Sequence, residues 1–248
     1  MTDLPRYDRI GVGYATTRRP DPRIGRLVRA ALGGSHSVVN VGAGAGSYEP
    51  DDLAVVAVEP SPVMARQRPP GAGPVVGARA EQLPFPDGAF DAAMAVLTVH
   101  HWSDPGAGLT ELRRVATGPV VVLSFDHGVH ARQWLVTDYL PQMADLDRGL
   151  PSPDDLARAL GGGTVRVVPV PADCVDGFCH AFWARPHAYL DPAVRAGISG
   201  FARLPPATVA RAMARLEDDL ETGRWHDRHG ALLDDATVDA GYRLVLAP

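Results

Sequence analysis

The chain contains no lysine: all 24 basic residues among its 248 are arginines. An amine side chain is needed for a Schiff base with a carbonyl substrate or with pyridoxal phosphate. It is also needed at the phosphate-binding position of a Walker A loop and in the Tyr/Lys pair of short-chain dehydrogenases. The sequence therefore excludes three common kinds of enzyme site.

Cysteine and long apolar runs are also scarce. The spacing of Cys174 and Cys179 fits neither a redox C-x-x-C motif nor a zinc knuckle, so we interpret them as reduced packing thiols. No stretch reaches the roughly 18 apolar residues of a membrane span, and residues 1–6 lack the apolar core of a secretory signal. These absences predict a cytoplasmic protein with no membrane partner.

Charge and length set further bounds. The net charge is −5, with 46% apolar and 21% charged residues, which is typical of globular domains. No basic block is present, so we expect no nucleic-acid partner. The length suits a single domain over residues 1–248, and the sequence does not decide between a monomer and a homodimer.

Short apolar runs alternate with helix-like segments along the chain. The predicted strands cover residues 38–41, 53–58, 75–78, 92–97, 120–125, 165–170 and 242–246. The predicted helices cover residues 24–32, 61–67, 105–116 and 154–160, with two or three more within 186–222. This alternation predicts an α/β fold: a Rossmann-like, doubly wound, mostly parallel sheet of about seven strands, with helices on both faces and a helical cap.

A glycine-rich turn follows the first predicted strand directly. Gly42, Gly44 and Gly46 alternate with alanines, and Glu59 ends the next strand. Glycine has no Cβ and tolerates positive φ, so a ligand can approach the backbone there. An acidic side chain at the carboxyl end of the second strand accepts hydrogen bonds from ribose hydroxyls in doubly wound sheets. The layout predicts a nucleoside-binding site.

The same segment favours one class of nucleoside. Its third glycine comes one position too early for the dinucleotide pattern G-x-G-x-x-G, and residues 48–52 are too short for the long helix that a pyrophosphate needs. Their carboxylates would repel a diphosphate but tolerate a sulfonium and an amino group. S-adenosylmethionine is therefore the predicted cofactor, with an NAD(P)-dependent oxidoreductase or a non-catalytic cofactor-binding module as alternatives.

Four segments together resemble the class I S-adenosylmethionine-dependent methyltransferases, and in particular their ubiquinone/menaquinone-type branch. They are Val39–Gly46, Val58–Ser61, Ala80–Phe85 followed by Phe90-Asp91, and Leu97–Trp102. The resemblance covers about half of the chain, from Tyr14 to Phe125. It implies transfer of a methyl group to an O, N or C atom of a small molecule.

The resemblance also implies positions that contact the cofactor. Gly42, Ala43 and Gly44 would lie under its methionine part, and Glu59 would bind the ribose. The remaining implied contacts are Pro60 with the adenine, Ala80 and Glu81 with the adenine edge, the Leu97 carbonyl with the amino group, and Tyr14 and Arg19 closing over the cofactor, with Arg19 paired to its carboxylate.

Two positions depart from the family pattern. The family usually carries an acid where Asn40 stands, so the cofactor amine is expected to be bound more weakly or by another group. Arg79 replaces an aspartate that often lies beside the adenine, so we expect contact there through the backbone.

Histidines supply the candidate catalytic groups. His100 and His101 leave the fourth predicted strand, where an imidazole could take a proton from a hydroxyl acceptor. Consecutive side chains of an extended segment diverge, so at most one of them is expected to face the pocket. We interpret Asp126, His127 and His130 as a solvated loop, and no metal site is predicted.

The chain thus divides into three functional parts. Residues 1–37 form a predicted N-terminal helical arm, 38–125 the cofactor-binding half, and 126–248 the substrate-side half with cap segments. Segments 127–150 and 176–204 are expected to wall a pocket for a planar or apolar acceptor. The aromatic residues expected in that wall are Trp134, Tyr139, Phe178, Phe182 and Trp183.

Overall fold

The computed structural model of the protein describes residues 18–248, and its central feature is a seven-stranded sheet. The chain also forms a separate two-stranded sheet. The strands are β1 (Ser37–Val41), β2 (Ala54–Val58), β3 (Val75–Val76), β4 (Ala92–Val96), β5 (Val120–Phe125), β6 (Thr164–Val167), β7 (Val170–Pro171), β8 (Thr237–Val238) and β9 (Tyr242–Ala247). Tyr14, a predicted cofactor contact, lies outside the described residues.

The large sheet is mostly parallel, as the alternating pattern predicts. Its strand order is β3-β2-β1-β4-β5-β9-β6, and β9 runs antiparallel to both of its neighbours. The two central strands, β1 and β4, are covered on both faces, which explains why they read as continuous apolar runs. The order reverses between β1 and β4, and ligands bind at the carboxyl edge of such a switch point.

Helices cover both faces of the sheet and form a cap beyond its carboxyl edge. Side chains of Asp21, Ser61, Asp104 and Ser152 accept backbone hydrogen bonds at four helix N-termini, which satisfies donors that have no partner within the helix. The helices are α1 (Pro22–Ala31), α2 (Pro62–Ala65), α3 (Pro105–Val115), α4 (His127–His130), α5 (Met143–Leu146), α6 (Pro153–Ala159), α7 (Pro192–Ala196), α8 (Ser199–Ala202), α9 (Pro206–Glu221) and α10 (Arg224–His229).

Prolines explain where the second half departs from the predicted elements. The strand expected over residues 165–170 is two strands, β6 and β7, because Pro169 has no N–H for the ladder. The segment 186–222 contains four short or long helical pieces, and Pro186, Pro192 and Pro206 are each the first residue of one of them. Each of these prolines begins a new helix, so this part of the cap consists of several separate helices.

The cap has its own apolar core, separate from the two clusters that cover the faces of the sheet. Trp134, Trp225 and Leu216 are among its buried members. Within residues 18–248, no helix has both the length and the apolar character required to cross a bilayer.

Candidate functional site

The glycine bend ties three strand ends together. The N–H groups of Gly42 and Ala43 both donate to the Val58 carbonyl, at 2.8 and 3.0 Å, which fixes the bend against the end of β2. Gly42 has φ +70°, and a Cβ there would lie 2.1 Å from the Thr98 Oγ1 atom beyond β4. A side chain at this position is therefore excluded by both conformation and contact.

Glu59 is fixed directly beside this bend. Its carboxylate accepts a hydrogen bond from the Gly44 N–H at 2.8 Å and another from the Ser61 N–H at 2.8 Å. The residue is only 8% exposed. Because each carboxylate oxygen accepts more than one hydrogen bond, the same oxygens are suited to ribose hydroxyls.

Asn40 occupies the position where an acid was expected. Its Nδ2 donates to Glu49 Oε1 at 2.9 Å, and Glu49 forms two hydrogen bonds with the Arg68 guanidinium at 2.7 and 2.8 Å. Its Oδ1 is buried and has no partner among the described residues. An unpartnered buried acceptor is costly, and an ammonium group of a ligand would satisfy it. The site therefore fits a cofactor that ends in an amino acid, although Asn40 stands where the family usually carries an acid.

The adenine-side segment is connected to the turn beyond β4. Glu81 Oε1 accepts hydrogen bonds from the backbone N–H of Ser103 and of Asp104 at 2.7 and 3.1 Å, and from the Ser103 hydroxyl at 2.8 Å. Burial acts to raise the pKa of Glu81, but these bonds outweigh it and leave the pKa lowered. Glu81 is thus ionised, and its hydrogen bonds hold the turn beyond β4 against the adenine-side segment.

These residues surround one cavity at the carboxyl edge of the sheet, which we call the cofactor cavity. Its volume is about 1150 Å³ up to the open mouth. Eight residues that the resemblance assigns to the cofactor line it: Gly42, Ala43, Gly44, Glu59, Pro60, Ala80, Glu81 and Leu97. The prediction missed other lining residues, including Arg18, Met64 and Thr98. Met64 follows Glu59 on α2 and carried no signal of its own.

The arginine at this cavity is Arg18, not Arg19. Arg19 is exposed and is not among the lining residues, whereas Arg18 lines the cavity. The Arg18 Nε donates to Asp176 Oδ1 at 2.7 Å, and the Tyr48 hydroxyl donates to Asp176 Oδ2 at 2.7 Å. Arg19, the predicted residue, does not line the cavity in this structure, whereas a carboxylate 158 residues away in the sequence holds Arg18 there.

The exit from β4 carries both candidate histidines. Leu97 has φ +50°, which is uncommon for a non-glycine residue. A 3₁₀ turn over Val99–His101 follows, closed by a hydrogen bond of 2.7 Å from the His101 N–H to the Thr98 carbonyl. The two imidazole rings lie with centroids 3.8 Å apart. The expectation that these side chains diverge is wrong, because the backbone turns tightly instead of continuing as a strand.

Both histidines line a second cavity, which we call the histidine cavity. Its volume is about 830 Å³, which includes solvent-filled space at its mouth. The wall contains five histidines, two arginines and several apolar side chains; its lining residues include His100, His101, His127, His130, His180, Arg18, Arg203, Asp147, Phe125, Val136, Met143, Phe178, Ile198 and Tyr242. The predicted segments 127–150 and 176–204 supply most of it.

His127 and His130 belong to this wall and not to a solvated loop. Asp126 caps α4 through a hydrogen bond of 3.1 Å from the Val129 N–H, which turns both rings toward Phe125. The His130 ring stacks on Phe125 with centroids 4.4 Å apart. Within residues 18–248, no three His, Cys, Asp or Glu side chains are grouped to hold a metal ion.

Burial keeps three histidines of this wall, His100, His130 and His180, neutral. It lowers the pKa of His100 and of His130 well below the usual value, with nearby positive groups acting in the same direction. Burial alone lowers the pKa of His180 to about 3. Burial also raises the pKa of the Cys179 thiol to about 12. At neutral pH these groups offer hydrogen bonds without carrying charge.

Four of the five predicted aromatic residues do not line this cavity. Trp134 donates to the Trp183 carbonyl at 2.9 Å, Trp183 to the Val170 carbonyl at 3.1 Å, and Tyr139 to Asp219 at 2.8 Å. Their polar atoms are thus satisfied inside the protein, which is how buried Trp and Tyr usually pack. Phe182 packs against two of the apolar clusters. Phe178 alone of the five lines the cavity.

Known proteins share this architecture. The family described as "Methyltransferase domain" matches residues 39–119. A crystal structure described as "Putative methyltransferase from antibiotic biosynthesis pathway", from Anabaena variabilis ATCC 29413, is 31% identical, covers 94% of this chain and 99% of its own, and superposes with a TM-score of 0.88. The chain belongs to the class I S-adenosylmethionine-dependent methyltransferases.

More distant methyltransferases share the fold. Geranyl diphosphate C-methyltransferase from Streptomyces coelicolor A3(2), in complex with S-adenosyl-L-homocysteine, is 14% identical over 91% of this chain and 75% of its own, with a TM-score of 0.50.

The uncharacterized protein YafE of Escherichia coli strain K12 is 50% identical over 36 residues, which is 14% of this chain and 17% of that protein.

Membership confirms three predictions for this methyltransferase: its fold, its enzyme class and S-adenosylmethionine as its cofactor. It decides against the oxidoreductase and against a non-catalytic module. Nothing in these likenesses distinguishes the ubiquinone/menaquinone-type branch from others.

Gly42→Ala is expected to destabilise the methyltransferase more than Gly33→Ala. Both glycines have positive φ, +70° and +59°, so both variants carry similar backbone strain of about 1–2 kcal/mol. Gly33 has no neighbour within 4 Å, whereas Gly42 meets Thr98, and overpacking adds about 1–3 kcal/mol. Urea denaturation of both variants measures the difference, and equal losses of unfolding free energy would contradict the close approach.

Glu59→Gln is expected to weaken S-adenosylhomocysteine binding by about 1–3 kcal/mol, the range for hydrogen bonds to a charged group. The amide preserves the shape of the side chain but removes charge and one acceptor. Isothermal calorimetry measures the affinity, with exposed Glu217→Gln on α9 as the matched control. Melting curves of both variants check the fold. An affinity equal to that of the control would count against this position.

Proposed function

We propose that the protein transfers the methyl group of S-adenosylmethionine, held in the cofactor cavity, to a small molecule held in the histidine cavity. The observation that carries the proposal is the meeting of the two cavities: Arg18, Leu97 and His101 line both. A methyl donor in the cofactor cavity and an acceptor in the histidine cavity would therefore lie next to each other at these residues.

The cofactor supplies an electrophilic methyl group on a positively charged sulfur. The residues of the chain hold and orient the cofactor. Glu59 accepts hydrogen bonds from the ribose hydroxyls, and the bend at Gly42–Gly44 accommodates the methionine part. Ala80 and Glu81 border the adenine, with Pro60 and the Arg79 backbone beside them. These assignments rest on the lining of the cavity and on the family resemblance.

Arg18 takes the role that the resemblance gave to Arg19. Its side chain is 10% exposed and is held by Asp176, which is 1% exposed. A guanidinium fixed in this way at the cofactor cavity suits the carboxylate of the methionine part. The Asn40 Oδ1 and the Leu97 carbonyl are the corresponding acceptors for its amino group.

Alignment and exclusion of water are the remaining contributions of the protein. Because the sulfonium is already activated, placing the acceptor atom in line with the methyl group accounts for much of the rate. The walls of the histidine cavity come from the cap and from the ends of β5 and β9, so they exclude part of the water around a bound acceptor. A cavity of this volume suits a small molecule and not a folded partner.

His101 is the histidine that we place at the reacting atoms, because it lines both cavities, whereas His100 lines the histidine cavity. The pKa of His100, well below its usual value because of burial, makes this ring a poor proton acceptor. We assign His100 to the acceptor wall and His101 to the contact with the acceptor atom.

A crystal structure with S-adenosylhomocysteine tests the arrangement without knowledge of the acceptor. We expect the thioether sulfur at the boundary formed by Leu97 and His101, open toward the histidine cavity. A sulfur that faces away from the histidine cavity would contradict the proposal, because no acceptor held in that cavity could reach the methyl group.

His101→Ala is expected to lower kcat about 100-fold or more, with a small change in S-adenosylhomocysteine affinity. Methyl transfer is measured as S-adenosylhomocysteine release with an acceptor found by screening small molecules. His36→Ala is the control, because that side chain is 95% exposed and lies at the opposite edge of the sheet, before β1. Equal kcat in the two variants would remove His101 from the reaction.

A further inference from the structure

The histidine cavity presents mainly hydrogen-bond donors. Three of its rings have one nitrogen buried without a partner among the described residues: His100 Nδ1, His127 Nδ1 and His130 Nε2. A neutral imidazole has one N–H and one bare nitrogen. A buried N–H without an acceptor costs more than a bare nitrogen without a donor, so the N–H belongs on the other nitrogen of each ring.

The exposed part of these rings faces the cavity. His100, His127 and His130 each retain some accessible surface, and all three lie among the residues that line this cavity. Burial lowers the pKa of His100 and of His130 well below the usual value, which agrees with rings that face a cavity and not bulk water. The N–H groups assigned above are therefore available to a ligand in the cavity.

Arg203 adds a cation to this donor-rich wall. Its side chain is 25% exposed, and it donates to Asp147 Oδ1 at 2.5 Å and to the Leu146 carbonyl. A guanidinium has five N–H groups, so these bonds leave donors for a ligand. Asp147, the carboxylate of the wall, is already paired with it.

We propose that the acceptor of this methyltransferase carries a carboxylate, bound by Arg203 and the histidine N–H groups, on an apolar body that packs against Phe178, Val136 and Ile198. The inference rests on the proposed function, since it concerns the ligand of the same histidine cavity. A carboxylate supplies oxygen acceptors to a wall of donors and a negative charge to Arg203.

Neutral and more highly charged ligands fit the wall less well. A neutral amide brings its own N–H donors toward N–H groups, which leaves some of them unpaired. A phosphate dianion needs more than one cation, but Asp147 and Asp176 already neutralise much of the charge of Arg203 and Arg18. A single negative charge with two acceptor oxygens matches the groups present.

The test compares carboxylates with their isosteric amides in calorimetry on the full-length protein saturated with S-adenosylhomocysteine. The probes are benzoate with benzamide and cinnamate with cinnamamide. We expect at least one carboxylate to bind about tenfold or more tightly than its amide, the scale of one charge-assisted hydrogen bond. Equal binding within both pairs, or no measurable binding of either carboxylate, would overturn the inference.

Three variants separate recognition from structural support. Arg203→Gln and His130→Phe are expected to abolish the preference for the carboxylate. His130→Phe keeps the stacking on Phe125 and removes a ring nitrogen that is buried without a partner, so the fold should persist. Asp147→Asn breaks the same ion pair as Arg203→Gln but keeps the guanidinium, and it is expected to retain or strengthen the preference. A loss in Asp147→Asn equal to that in Arg203→Gln would overturn the inference.

Binding of S-adenosylhomocysteine is measured first for every variant. Its failure in the unaltered protein would contradict the proposed function. Normal binding with no carboxylate preference would contradict the present inference alone.

Discussion

The close approach of Gly42 to Thr98 is the constraint on which the rest of the site depends. It brings the end of β1 against the residue that begins the histidine turn. The same bend is tied to the Val58 carbonyl, next to Glu59. One backbone junction thus sets the walls of both the cofactor cavity and the histidine cavity, on the rigid ends of neighbouring strands and not on long loops.

Charge in the two cavities is organised by pairing and by burial. Arg18 and Arg203, which line these cavities, each have a carboxylate partner, in Asp176 and Asp147, and unpaired charges would be costly at such depth. His100, His130 and His180 avoid the same cost by remaining neutral.

The sequence predicted most of the sheet and the cofactor cavity, because both depend on local signals. The apolar runs of β1, β4 and β5 and the glycine bend are visible within a few residues. Choosing Arg18 over Arg19 required Asp176, which is distant in sequence. The turn that brings both His100 and His101 to one cavity, and the burial of Trp134 in the cap core, also depend on tertiary packing. Periodicity does not encode these contacts.

The limited overlap of the two cavities bears on how enzymes of this kind diversify. Positions such as Ala131, Val136, Met143 and Ile198 line the histidine cavity but not the cofactor cavity. They belong to cap segments that lie outside the strands of the large sheet. Combinatorial libraries confined to these positions should therefore yield enzymes that alkylate a different atom of the substrate, or that accept cofactor analogues bearing larger alkyl groups. Their affinity for the cofactor should remain unchanged.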